Sequence, residues 1–156
     1  MWIGLSLLAS LVPFFLRERY GVELPESLDF FISVALLLHI GNIFIEATNI
    51  GMVYNKITHL FSSCVLTFII FMVLYSYNVQ FNKILSNRHT TAIITISMVI
   101  TLGVFWEFAE WISDLVINTG CQLGLDDTIG DLFMNTIGAI AISFYIVKWD
   151  VFYDMR

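Results

Sequence analysis

Residues Ala92–Asp114 read AIITISMVITLGVFWEFAEWISD, a largely apolar run that closes on Glu107, Glu110 and Asp114 set among aromatic residues. About 20 residues at a 1.5 Å rise suffice to cross the roughly 30 Å hydrocarbon core of a bilayer as a helix. The three acids fall at i, i+3 and i+7, so they share one face of that helix, at one end of it. An acidic side chain held in hydrocarbon costs about 2.5–3.5 kcal/mol near the helix centre. If the helix leaves the hydrocarbon near Trp111, Glu107 lies on the order of 6 Å inside, too deep for a short carboxylate to reach water. The segment is therefore a transmembrane helix whose charged end needs a partner.

The rest of the chain fits that reading. Hydrophobic residues make up 58% and charged residues 13% of its 156 residues, and the mean hydropathy is +0.84. These values lie outside the soluble globular range. Apolar stretches separated by short polar links predict an all-α bundle of about five transmembrane helices, over residues 1–16, 28–48, 58–78, 91–115 and 130–147. They form a single domain over residues 1–156, since no linker, repeat or low-complexity segment separates a second one. The first stretch lacks a basic n-region and a small-residue cleavage site, so it is read as a span and not as a cleaved signal peptide.

Lysine and arginine set the orientation. Arg17, Arg19, Lys83, Arg88, Lys148 and Arg156 fall on one side of this arrangement and Lys56 on the other. The N-terminus is accordingly expected outside and the C-terminus in the cytoplasm, in a multi-pass protein of a prokaryotic plasma (inner) membrane. Trp111 and Trp149 occupy interfacial positions at opposite ends of the bundle. Basic residues are few and scattered, so no nucleic-acid partner is expected. Membrane lipids are the expected partners, and a homo-oligomer is compatible with the pattern. Cys64 and Cys121 have no metal or redox spacing.

With this orientation, polar stripes on four helices converge at the outer end. His39, Asn42, Glu46 and Asn49 lie along one face of the second span. Tyr54, Asn55 and Lys56 lie in the link before the third span, and His59 and Ser62 open that span. Glu107, Glu110 and Asp114 close the fourth, while Asp127, Asp131 and Asn135 form an i, i+4, i+8 stripe opening the fifth. So many carboxylates must share protons, pair with His59 or Lys56, reach water or bind a cation. Several of these groups have simpler roles. Asp126 suits a helix cap, Asp114 an interfacial solvated position, His39 a hydrogen bond to a neighbouring helix, and His89 a solvated loop. Gly138 and Ala139 suit close helix approach. The DDTIGD stretch is a poor match to the aspartate-rich diphosphate motifs of prenyl-transferring enzymes, because its spacing is DDxxxD and it has no second copy.

The order and helix-end placement of YNKITHLFSS, LGVFWEFAEWISD and DDTIGDLFMNTIGA resemble the YjdF-like family of prokaryotic membrane proteins over roughly residues 25–147. A more distant similarity is to VanZ-like proteins, which act at the outer face of the cell envelope. The resemblance picks out His59, Glu107, Glu110, Asp127, Asp131 and Asn135 and implies a site without implying a reaction. Asn55 stands where such proteins often carry an aspartate, which removes one charge.

Three function classes stay open. The first is an enzyme acting on a lipid or lipid-linked headgroup. In it, His59, Glu107, Glu110, Asp127 and Asp131 ligate Mg²⁺, Mn²⁺ or Zn²⁺, with a general base among Glu107, Glu110 and Asp131. Glu46, Asn55, Lys56 and Asn135 would contact the ligand. The second is a non-catalytic protein that binds a cationic or glycan ligand, or conducts cations or protons. The third is a purely structural carboxylate network.

Overall fold

In a computed structural model, residues 11–20, 26–45, 48, 50–81 and 87–149 are described. They form five α-helices: α1 (Val12–Tyr20), α2 (Glu26–Ile45), α3 (Gly51–Phe81), α4 (Arg88–Ile117) and α5 (Leu125–Trp149). No strand occurs among the described residues, so the all-α expectation holds. Gly51–Tyr75 of α3, Arg88–Ile117 and Leu125–Trp149 are long and apolar enough to cross a membrane. The apolar part of α2, Ser27–Asn42, is shorter than these. Residues 1–10 of the expected first span lie outside the described residues.

Helix ends differ from the expected spans in ways that matter for the site. Helix α1 continues through Arg17 and Arg19, where a link was expected, and Arg17 pairs with Asp29 of α2 at 3.1 Å. Helix α3 begins at Gly51, not near residue 58, and runs 31 residues, or about 46 Å. That extra length makes Tyr54, Asn55 and Lys56 helical. Asn55 and His59 are thereby separated by one turn on one face. A short turn fixes this entry: the Thr48 hydroxyl donates to the Ile45 carbonyl at 2.6 Å, and the Gly51 N–H to the Thr48 carbonyl at 3.0 Å.

The α4–α5 connection is built around the Asp114 carboxylate. It accepts from the Cys121 and Gln122 N–H groups at 2.9 and 2.8 Å and from the Thr119 hydroxyl. Asp114 thus organises the loop, where the sequence suggested only solvation. Asn118 ends α4 in the left-handed region, with φ 53°, a conformation asparagine tolerates. Gly124, at φ 120°, then turns the chain into α5, a backbone angle that needs glycine.

Helix α3 is central and packs on α2, α4 and α5; α4 also packs on α5. At the end of the bundle away from the acids, Leu28, Ile32, Phe71, Met72, Ala92 and Ile146 pack together. Without a hydrophobic driving force between helices in lipid, close backbone approach has to supply the packing. The contact of α3 with α5 shows this at Gly138, where an added Cβ would meet the Leu60 carbonyl oxygen at 2.9 Å and also the Ser63 hydroxyl. Because the obstacle includes backbone, Gly138→Ala is expected to destabilise the protein by about 1–3 kcal/mol. A lower thermal unfolding midpoint in detergent micelles checks this, and an unchanged midpoint would show that the two helices can part without cost.

Candidate functional site

Asp131 is the hub of the acidic end. Its side chain is 0% exposed, one turn inside α5 from Asp127 and one turn before Asn135. Its Oδ1 accepts from Lys56 Nζ at 3.0 Å and its Oδ2 from Asn55 Nδ2 at 3.0 Å, while His59 Nε2 lies 3.8 Å from Oδ2. All three neighbours come from the first turns of α3. Lys56 also donates to Asp127, to Oδ1 at 2.6 Å and to the backbone carbonyl at 2.9 Å. One ammonium group therefore bridges two buried carboxylates. Its stem runs over Gly130, where a Cβ would lie 2.6 Å from Lys56 Cε.

An amide chain continues from this hub towards α2: Asn42 Nδ2 donates to Asn55 Oδ1 at 2.9 Å, and Asn55 Nδ2 donates on to Asp131. Asn42 Oδ1 is buried and has no hydrogen-bond partner.

Helix α4 supplies Glu107. Its side chain is buried, its Oε1 has no hydrogen-bond partner, and the Thr128 side chain of α5 neighbours its carboxyl group. One turn earlier, Gly103 makes room for Asn135, whose Nδ2 would be 2.8 Å from an added Cβ; Asn135 in turn neighbours the His59 side chain. Ligand atoms of His59, Glu107 and Asp131 all lie within 4.8 Å of one another. These three residues come from three different helices, and all three are buried. An unpaired carboxylate oxygen beside an imidazole and a second carboxylate is a donor set that suits a divalent cation, so the residues present fit such an ion.

The sequence-predicted residues divide accordingly. Asn55, Lys56, His59, Glu107, Asp127, Asp131 and Asn135 come together. Glu110 is turned to its own helix, its Oε1 accepting from Trp106 Nε1 at 2.8 Å, and it stands outside the three-residue cluster. Glu46 lies outside the described residues. The sequence reading gave His39 only a hydrogen bond to a neighbouring helix. That bond exists, to the Ser62 hydroxyl at 3.1 Å, but the His39 ring also lies 6.0 Å from that of His59 and 5.0 Å from that of Trp106. His39 thus stands beside the cluster, and its place on the same face as Asn42 was the available signal. Ser62 belonged to the polar run that opens the third span, whereas Trp106 and Thr128 had no such signal. Cys64 and Cys121 are not joined in a disulfide.

Residues 1–150 match the family described as "Predicted membrane protein (DUF2238)". The chain belongs to the DUF2238 family. An uncharacterized protein of Thermotoga maritima is 23% identical over 144 residues, covering 91% of this chain and 70% of its own length. No solved structure matches the chain. For this DUF2238 protein the family supports a place in the membrane and leaves the chemistry to the site itself.

Proposed function

We propose that this DUF2238 protein is a multi-pass protein of a prokaryotic plasma membrane that holds a divalent cation at its outer-leaflet end and acts there on a lipid or lipid-linked headgroup. The observation that carries this is the buried cluster of His59, Glu107 and Asp131, with ligand atoms within 4.8 Å of one another and with one Glu107 oxygen unpartnered. Charge supports it. Asp127, Asp131, Glu107 and Glu110 are buried or half-buried at this end of the bundle with one ammonium group, that of Lys56, a sum of minus three with all groups ionised. A divalent cation reduces that to minus one, where lone carboxylates in low dielectric are costly.

His59, Glu107 and Asp131 would hold the ion, which supplies Lewis-acid polarisation of a phosphoryl or carbonyl oxygen or activation of water. Asn55 and Lys56 fix the orientation of Asp131, and Asn135 that of His59. Glu110, one turn beyond Glu107 on α4 and held by the Trp106 indole, is the candidate proton acceptor. The YjdF-like motifs agree with this placement, and the VanZ-like resemblance is in keeping with work at the outer face.

Lys56 favours a second reading. Its ammonium already serves Asp127 and Asp131, as a resident cation would, so a purely structural network is the competing function. Elemental mass spectrometry on detergent-purified protein separates the two. Near-stoichiometric metal is expected in the wild type and less than about a tenth of it in His59→Ala and Glu107→Gln, since losing even a group that only orients a ligand costs about 10–100-fold in affinity. Wild-type protein without metal after loading with Mg²⁺, Mn²⁺ and Zn²⁺ would favour the structural network.

A further inference from the structure

A cavity of about 530 Å³ lies between α2, α3 and α4, with Asn135 of α5 at its edge. It is a cleft open on one side, and its volume falls within the roughly 300–1,000 Å³ of sites that take a small ligand. Its polarity is graded. His39 and His59 stand at one end and Ile32, Leu36, Ile69 and Val99 at the other. Small side chains, Ala35 and Ala109, keep opposite walls apart.

Length decides what fits. Along α3 the wall runs from His59 to Ile69, and along α4 from Val99 to Ala109. Each spans ten residue steps, or about 15 Å, which is half of a hydrocarbon core about 30 Å thick. The slot is therefore one leaflet deep. His59 belongs both to the slot and to the acidic cluster, so whatever fills the slot presents its polar end to that cluster.

We infer that the slot binds the single hydrocarbon chain of a membrane amphiphile, acyl or prenyl, and so holds its headgroup against His59; this rests on the proposed function for what happens to the headgroup, but not for the binding of the chain. Moving a chain from bilayer to slot yields no hydrophobic gain, since lipid tails are as apolar as leucine. Selection therefore comes from the fit of one chain and from the polar end, and the slot binds a defined amphiphile in preference to bulk lipid.

Trp106 lines the slot and reports on its contents. The protein is made with Trp106 as its sole tryptophan (Trp2→Phe, Trp111→Phe, Trp149→Phe) and placed in nanodiscs of unbrominated phospholipid. It is then titrated with a lysophosphatidic acid whose chain carries bromines at its middle. Quenching is expected to saturate at about one amphiphile per protein, and half-saturation to shift about tenfold or more in Ala35→Phe and in Ala109→Phe, as steric misfit in an apolar pocket gives. These two variants fill the slot from opposite walls, so a shared shift is not one variant's folding defect. Displacement of the quencher by an unbrominated lysophosphatidic acid or by a prenyl phosphate tells the acyl source from the prenyl one. Quenching that rises linearly with mole fraction and is the same in both filled variants would overturn the inference. Asp131→Asn separates it from the metal reading: metal lost with saturable quenching retained supports the slot, and saturable quenching in a wild type that holds no metal leaves the slot standing while the cation falls.

Discussion

Lys56→Met is expected to destabilise the protein by about 3–5 kcal/mol, the usual result of removing one partner from a buried ion pair. Lys56 is 18% exposed at its side chain, Asp127 3% and Asp131 0%, so solvent cannot replace the ammonium group. Methionine keeps the length of the stem and its packing over Gly130, which isolates the charge as the variable. What remains is two carboxylates that shared one cation and now repel each other in low dielectric. Adding Asp127→Asn to Lys56→Met is expected to restore part of the loss, because one carboxylate then stays bonded to Asn55 alone. The double variant should therefore be more stable than the sum of the single changes by about 1–3 kcal/mol. Unfolding midpoints in detergent for the four proteins of the cycle give the coupling directly. A loss below about 1 kcal/mol in Lys56→Met would mean that protons or another cation already neutralise the pair.

The role of Lys56 shows where sequence reasoning stopped. Its two readings, partner of a carboxylate and contact for a ligand, differ only in what lies opposite, and the opposing residues are more than seventy positions away on α5. The fold was legible because apolar length is a local property: α4 and α5 appear in the sequence as runs that need only be measured. The start of α3 was not legible for the same reason. Tyr54, Asn55 and Lys56 are polar and read as a link, yet each has its polar group bonded to another helix, Tyr54 to the Leu38 carbonyl at 3.1 Å, Asn55 to Asn42 and Asp131, and Lys56 to Asp127 and Asp131. Hydropathy prices such groups as if they faced lipid, whereas the bundle satisfies them internally. Helical spacing did locate the acidic end, since Asp127, Asp131 and Asn135 follow one stripe. It could not tell which acids meet. Glu107 and Glu110 are one turn apart on the same face, and only tertiary contacts turn Glu107 to His59 and Asp131 and leave Glu110 with Trp106.

Asp131→Ala and Asp131→Asn are expected to part ways, and their difference separates folding from ion binding. Alanine removes the acceptor for Lys56 and for Asn55 at a fully buried position, leaving donors unsatisfied and an ammonium group short of one carboxylate. The expected cost is about 3–5 kcal/mol. Asparagine offers one acceptor and one donor where the carboxylate offered two acceptors. If its oxygen serves Lys56, its NH₂ meets the Asn55 amide as donor against donor. The chain Asn42–Asn55 relieves this by turning over. Asn55 then presents Oδ1 to the new amide and Nδ2 to Asn42, and Asn42 presents its Oδ1, the oxygen that has no partner in the native arrangement. Both hydrogen bonds of the chain survive in reversed sense, so Asp131→Asn is expected to cost only about 1–1.5 kcal/mol, near the worth of one hydrogen bond. The same substitution removes a charged ligand atom from the cluster with His59 and Glu107, and metal content should fall as in His59→Ala. Thermal midpoints and elemental analysis on the same preparations check both halves. A large stability loss in Asp131→Asn would show that the amide chain is locked in one sense, and unchanged metal content in a folded Asp131→Asn would remove Asp131 from the ion site.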